Sequence, residues 1–487
     1  MINNNIIFFS LSVFFFFGCS PKEKIFESTI PFRSLNSDQT GIDFSNSLEY
    51  KTKLNIIEYL YYYNGGGVSV GDINNDGLED IYFSANLLPD RLYLNQGNLK
   101  FKDITVEAGL SIENSWSNGV NFEDVNLDGF LDIYVTKVSP ISPKKSHNLL
   151  YINNGNLTFT ERSSEFGLDF SGFSTQATFL DYDRDGDLDV YLLNHAIHSV
   201  RSYGTSEKRA ESDSLSGDKF YENKLNEIEG EFVEVTRKVN VYDSPLGYGL
   251  AITATDINDD GWLDIYVGND FHENDYIYIN NKDKTFSESI EKSIYHSTHF
   301  TMGIDVADLN SDGHQDIFTT DMMPYDPKIF LKSGGEDEDQ VSRIKKEFGF
   351  EPQFARNHFH LNRGDGSFSE IALLTKTYAT DWSWGVLLQD FDADGLNDIF
   401  ITNGIAKRPN DLDYINYLSN VDFTKYNNSR QDEIKKKLID EMPTLKIPNI
   451  LFRNLGNLEF ENINKSFVDK PSYSNGAAYA DLDNDGD

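Results

Sequence analysis

Cysteine is almost missing from this 487-residue chain: Cys19 is the only one, so no disulfide can form within it. Histidine is scarce as well, nine in all, and close pairs such as His195/His198 and His296/His299 read as surface or core residues before they read as a transition-metal site. Positive charge is in short supply. Lys and Arg number 42 against 79 Asp and Glu, a formal net charge of −37. That excludes nucleic acid as a natural partner, because phosphate binding needs Lys/Arg patches. No HExxH, P-loop, Ser-His-Asp order or Cys-His order is present. The abundant carboxylates leave open a pair of the kind that hydrolyses glycosides.

What the chain has instead is one nine-residue pattern, Asp-x-Asp/Asn-x-Asp-Gly-x-x-Asp, used again and again. Its polar positions are Asp72, Asn74, Asp76 and Asp80; Asp124, Asn126, Asp128 and Asp132; Asp181, Asp183, Asp185 and Asp189. They continue as Asp256, Asn258, Asp260 and Asp264; Asp308, Asn310, Asp312 and Asp316; Asp390, Asp392, Asp394 and Asp398. A seventh copy opens with Asp481, Asp483 and Asp485, and its ninth position would fall beyond residue 487. A hard cation such as Ca²⁺ takes six to eight oxygen ligands in a flexible shell. Side-chain oxygens at positions 1, 3 and 5 converge on one point if the backbone curls tightly, and Gly at position 6 permits the curl. A carbonyl at position 7 and the Asp at position 9 would complete the shell. A single copy could be a plain Asp/Gly turn; six complete copies make that reading untenable.

Each copy is flanked by β-type runs rather than helices, so the loop is the turn of a hairpin. A third run follows, ending in Asn, as in Leu92–Asn95 and Leu150–Asn153, and a fourth begins with Phe, as at Phe101, Phe159, Phe232, Phe286, Phe368 and Phe460. Four antiparallel strands repeated radially make a β-propeller. The expected fold is all-β: a seven-bladed propeller with its last blade incomplete in this chain. Motif-bearing repeats start near 65, 118, 174, 249, 301, 383 and 474. These repeats resemble FG-GAP/VCBS repeats, the calcium-loop blades of integrin α-subunits. The stretches Asp321–Pro327, Thr380–Gly385 and Gly404–Tyr414 make the chain similar to bacterial lipoproteins related to cartilage acidic protein, the ASPIC/UnbV group. The resemblance implies bound Ca²⁺ and a binding role. The C-terminal domain such proteins usually carry has no counterpart here, and the chain reads as a fragment of a longer protein.

Spacing between copies is 52, 57, 75, 52, 82 and 91 residues. The surplus lies near 195–218, 321–356 and 404–448, always between the second and third strands, and the last two stretches look partly helical. In an up-and-down blade the 1–2 and 3–4 turns share one face, so these inserts should project from the face opposite the calcium loops. The connections that enter the axis on that same face carry Trp116, Phe173, Tyr248, His299, Trp382, Trp384 and Tyr473 beside small polar residues. Two readings stand: a concave cup that stacks against a glycan or protein ligand, or aromatic core that plugs the channel.

The apolar run at residues 6–17 is too short for a transmembrane helix and suits a signal peptide over 1–18. Gly18-Cys19 at its end resembles a lipobox, which implies lipidation of Cys19, a tether over 19–30 and a membrane anchor. The n-region without Lys or Arg, and Phe16 where Leu is usual, depart from that pattern. Residues 31–60 match the end of a repeat and should supply a closing strand to the last blade. Seven Ca²⁺, carrying +14, would still leave the chain near −23, which suits a compartment where millimolar calcium fills weak sites. The expectation is an outer-membrane or cell-surface lipoprotein of a bacterium that binds a glycan or protein. The alternative is a polysaccharide-acting enzyme with its site in the axial cup.

Overall fold

The computed structural model describes residues 32–51, 53–141, 146–198, 204–224, 232–421, 428–463 and 470–486. The signal peptide, Cys19 and the tether at 19–30 lie outside the described residues, as does residue 487.

Six antiparallel sheets follow one another along the chain, each with its strands in sequence order. The first is Val68–Gly71, Asp80–Phe83, Arg91–Asn95 and Phe101–Asp103. The second is Ser115–Glu123, Asp132–Lys137, Leu149–Asn153 and Phe159–Glu161, with Asn86–Leu88 added to its inner edge. The third is Ser174–Leu180, Asp189–Asn194, Lys219–Asn223 and Phe232–Glu234. The fourth is Gly249–Thr255, Asp264–Asn269, Tyr276–Asn280 and Phe286–Glu288. The fifth is Gly303–Ala307, Asp316–Thr320, His358–Asn362 and Phe368–Glu370. The sixth is Ser383–Gln389, Asp398–Asn403, Ile450–Asn454 and Phe460–Asn462. The molecule is an all-β propeller.

The second strand of each blade is the most buried. Asp132–Lys137 and Asp264–Asn269 are covered along their whole length, because a blade is packed on both faces by its neighbours. That is why these strands read as unbroken β-branched and aromatic runs. First strands of successive blades pack side by side around the axis. Their approach is close: a Cβ on Gly119 would lie 2.9 Å from the Thr175 carbonyl oxygen, and one on Gly303 only 1.9 Å from that of Trp384. Glycine opens these strands because no side chain fits there.

Hydroxyls on several second strands stitch one blade to the next. Thr136 Oγ1 donates to the Thr175 carbonyl at 2.9 Å and Thr320 Oγ1 to that of Trp384 at 2.7 Å. Thr402 of the sixth blade makes the same bond, at 2.5 Å, to the carbonyl of Asn475. A Cβ on Gly476, next along, would stand 3.1 Å from the Gly66 carbonyl oxygen at the start of the first blade. Residues 475–477 thus lie between the first strands of the sixth and first blades. Residues 32–36 form no strand, and the Phe32 ring lies 5.8 Å from that of Phe391 in the sixth loop. They lead instead into a short capped helix, Ser37–Thr40, whose following Gly41 packs on the Phe101 carbonyl.

Candidate functional site

The repeated loop has the same local geometry every time. Position 4 is left-handed in all seven copies, with φ from 54° to 61° at Asn75, Leu127, Arg184, Asp259, Ser311, Ala393 and Asn484. Position 6 is Gly with φ from 83° to 94°, which only Gly adopts without cost. The two turns fold the chain around the first Asp. In the first loop, Asp72 Oδ1 accepts the Asp76 N–H at 3.1 Å and Oδ2 the Gly77 N–H at 2.6 Å. The same pair recurs in every other copy, including Asp481 with Asp485 and Gly486.

Position 9 does more than close the shell. Asp80 is buried; its Oδ2 accepts the Ile73 N–H at 3.1 Å and its Oδ1 the Asn95 N–H at 2.7 Å. It therefore ties the loop to the end of the third strand, and Asp132, Asp189, Asp264, Asp316 and Asp398 repeat the tie. The Asn at that strand end, a mere pattern in the sequence, has a purpose. Asn153 Nδ2 donates to the Ile73 carbonyl in the preceding blade's loop at 2.8 Å, and Asn95 Nδ2 reaches the Leu482 carbonyl in the seventh loop at 3.0 Å. Burial pushes the position-9 carboxyls up, to about 7 for Asp80 and Asp264 and about 8 for Asp189, against the pull of those N–H donors. A divalent cation at the loop would favour their charged form.

The donor set fits Ca²⁺. Carboxylate oxygens of Asp181, Asp183 and Asp189 lie within 4.8 Å of one another, as do those of Asp390, Asp392 and Asp398, and of Asp481, Asp483 and Asp485. Oxygens on opposite sides of an ion bound at about 2.4 Å are separated by that much. The complete loops with Asp rather than Asn at position 3 each carry a compensating cation: Lys284 on Asp183, and Arg453 Nε on Asp392 at 2.6 Å. The extra carboxylate is thus offset by a cation from outside the loop. Nothing in the nine-residue pattern foretells those cations, because they come from other strands and turns.

On the opposite face the aromatics of the axial connections are largely enclosed. Trp116, Tyr248, His299, Trp382 and Trp384 are buried, and Phe173 and Tyr473 are half-buried. Trp116, Tyr248, Trp382 and Trp384 form one cluster with Tyr59, Tyr61 and Tyr62, against which Phe173 packs. Segment 55–63 lies over the axis and closes it. Tyr59 Oη meets His195 Nε2 at 2.9 Å, Tyr61 Oη donates to Asp270 at 3.0 Å, and Trp384 Nε1 donates to the Gly404 carbonyl at 2.8 Å. A channel of about 310 Å³ remains along the axis, lined by first-strand residues and the two tyrosines. His299 meets the second insert through Lys345 Nζ at 3.1 Å. Trp116, Phe173, Tyr248, Trp382 and Trp384 come together as core with the tyrosines, which resemble one more axial connection in sequence, whereas His299 stacks on Phe300 and Tyr473 lies under Lys446.

The inserts take the outside of this face. Helix Leu412–Ser419 and helix Asn428–Glu441 bring Tyr414, Leu418 and Ile439 onto the aromatic cluster. The second and third inserts are knitted together: the Gly334 N–H donates to Asn410 O and the Leu412 N–H to Lys332 O, each at 2.8 Å. Phe330, Leu331, Leu412 and Ile415 stay exposed along that seam, Leu331 by 76%.

The FG-GAP-like repeat profile matches residues 72–135, 141–192 and 256–319. Cartilage acidic protein 1 of Mus musculus is 30% identical over 211 residues, 42% of this chain and 29% of its own length. Integrin alpha-8 of Gallus gallus is 30% identical over 112 residues, 20% of this chain and 10% of its own length. The chain spans about a third or less of the curated relatives it matches. Among solved structures, a lectin from Agrocybe aegerita described as recognising non-reducing terminal N-acetylglucosamine aligns with TM-score 0.41 and 14% identity, covering 81% of this chain and 78% of that one.

Proposed function

We propose that this chain, which carries FG-GAP-like repeats and is similar to cartilage acidic protein 1, is a calcium-stabilised propeller of seven blades that binds a protein or glycan on its insert-bearing face. It is held outside the cytoplasm of a bacterium, at the outer membrane or cell surface, by a lipid on Cys19. The six complete loops support the calcium role, since each curls in the same way around its first Asp, and carboxylate oxygens of Asp181, Asp183 and Asp189 and of Asp390, Asp392 and Asp398 already lie within 4.8 Å of one another. Seven blades rest on the bonds of Thr402 to Asn475 and Asn95 to Leu482, which repeat blade-to-blade rules seen elsewhere in the ring.

The observation that carries the binding face is the seam between inserts. Apolar side chains left exposed in contiguity mark interaction surfaces more often than scattered ones do. Phe330, Leu331, Leu412 and Ile415 are exposed on two inserts that hydrogen-bond to each other. The axial aromatics are the support beneath this surface, not its contact face. The test is a glycan array and a pull-down against bacterial surface extract, run with wild type and Leu331→Glu/Leu412→Glu. The double variant should keep its calcium-dependent melt and lose the captured partner. Undiminished capture by the double variant would overturn the assignment of this face.

A further inference from the structure

The outer half of the fifth blade carries a group of imidazoles that no calcium loop uses. Alternate residues of a strand share a face, so His358 and His360 stack on strand His358–Asn362, ring centroids 5.4 Å apart and planes within 18°. The register sets Glu370, on the neighbouring strand, opposite His360. His296 comes in from the connection out of the fourth blade and places Nδ1 3.0 Å from His358 Nε2. Donor atoms of His296, His358 and Glu370 lie within 4.8 Å of one another. His296 and Glu370, with His360, line a cavity of about 230 Å³. His360 is 1% exposed, and its Nε2 has no hydrogen-bond partner among the described residues.

We propose that this cluster is a binding site for a divalent transition-metal ion such as Zn²⁺, ligated by His296, His358 and Glu370, with His360 at the cavity wall beside it. Two imidazoles and a carboxylate are the donor set of zinc and its first-row neighbours, not of calcium, which takes oxygen. His358 Nδ1 lies 2.9 Å from the Arg356 carbonyl and donates its proton there, which leaves Nε2 with its lone pair toward His296. In the metal-free state His296 Nδ1–H fills that lone pair. Moving this proton to Nε2, a tautomeric change with no change of charge, turns two lone pairs toward one point. One oxygen of Glu370 accepts the Ala372 N–H at 2.6 Å and the other pairs with Arg356 Nη2 at 2.9 Å. The Arg356 charge opposes a cation and favours an anion, which separates the two by experiment.

The experiment uses the full chain saturated with Ca²⁺, titrated with Zn²⁺ by calorimetry and with Co²⁺ by visible absorption. Expected are one equivalent of Zn²⁺ outside the calcium loops and a Co²⁺ ligand-field band. His296→Asn, at a half-buried position that tolerates a polar side chain, should weaken Zn²⁺ at least about tenfold and abolish the band. Arg356→Gln should tighten it. Zn²⁺ binding that is absent, or unaltered in His296→Asn, overturns the site. Weaker Zn²⁺ in Arg356→Gln, together with loss of inorganic phosphate binding, would overturn it in favour of an anion pocket.

Discussion

Replacing Trp384 by Ala separates core from binding surface. Trp384 is 7% exposed and sits in the cluster that closes the axis. Its indole N–H donates to the Gly404 carbonyl at 2.8 Å. Removing a buried Trp costs about 3–5 kcal/mol in lost contacts and residual cavity. Leaving the Gly404 carbonyl without its donor adds about 1–3 kcal/mol if water does not reach it. The expected loss is therefore about 4–8 kcal/mol, a large part of the 5–15 kcal/mol typical of a folded domain. Trp382→Ala should cost less, near the packing figure alone, because Trp382 Nε1 has no hydrogen-bond partner among the described residues. Trp384→Phe keeps most of the ring and loses the bond, so it should fall between wild type and Ala. The assay is urea unfolding at fixed Ca²⁺, followed by near-UV circular dichroism, with partner binding measured on the same samples. A Trp384→Ala midpoint equal to wild type, with partner binding lost, would refute the core reading and restore the axial cup.

Asp270 is buried, accepts the Tyr61 hydroxyl, and is pushed up to about 7 by burial. A folded-state pKa above the unfolded one favours the native state below about pH 4 and progressively less as pH rises to 7. Asp270→Asn should thus gain stability over wild type at pH 8 and match it near pH 4–5, in parallel thermal melts at both pH values; equal differences at the two would count against it. Arg408 pairs with Asp381 at 2.7 Å with both side chains buried, so Arg408→Met strands a buried carboxylate and should cost about 3–5 kcal/mol in the same urea assay, whereas Arg408→Met/Asp381→Asn, neutral and tolerant of the left-handed backbone at 381, should recover most of it. For the anchor, an alkyne-palmitate label should mark wild-type protein in cells and not Cys19→Ser; equal labelling of the two would rule out lipidation at that residue.

The fold was legible because one tightly curled hairpin turn demands the same residue types at fixed spacing. Asp, Asn and Gly recur nine residues deep in each repeat, and the run after each loop is wholly apolar since second strands are buried on both faces. The blade order and the side from which the inserts project follow from that grammar alone. What remained hidden depends on residues far apart in the chain. Lys284 belongs to the fourth blade yet neutralises Asp183 of the third. Segment 55–63 reads as another axial connection, and only packing reveals it as the lid that buries Trp116 and Trp384. His358 and His360 alternate on one strand, a spacing visible in the sequence, but Glu370 and His296 join them through register and a blade crossing that no local pattern records.

The central claim is that calcium bound in the hairpin loops holds the ring together. A ligand that binds only the native state stabilises it by about 2.7 kcal/mol per site at a hundredfold excess over its Kd, and six complete loops act on one cooperative ring. The direct measurement is calorimetric melting of EDTA-treated protein titrated with Ca²⁺ and, separately, Mg²⁺, with bound calcium counted by equilibrium dialysis. The account predicts at least six Ca²⁺ per chain, a melting temperature that climbs with each increment of free calcium, and little recovery with Mg²⁺, whose small octahedral shell these loops do not offer. A melting temperature unmoved by EDTA, or fewer than two ions bound at millimolar calcium, would contradict it.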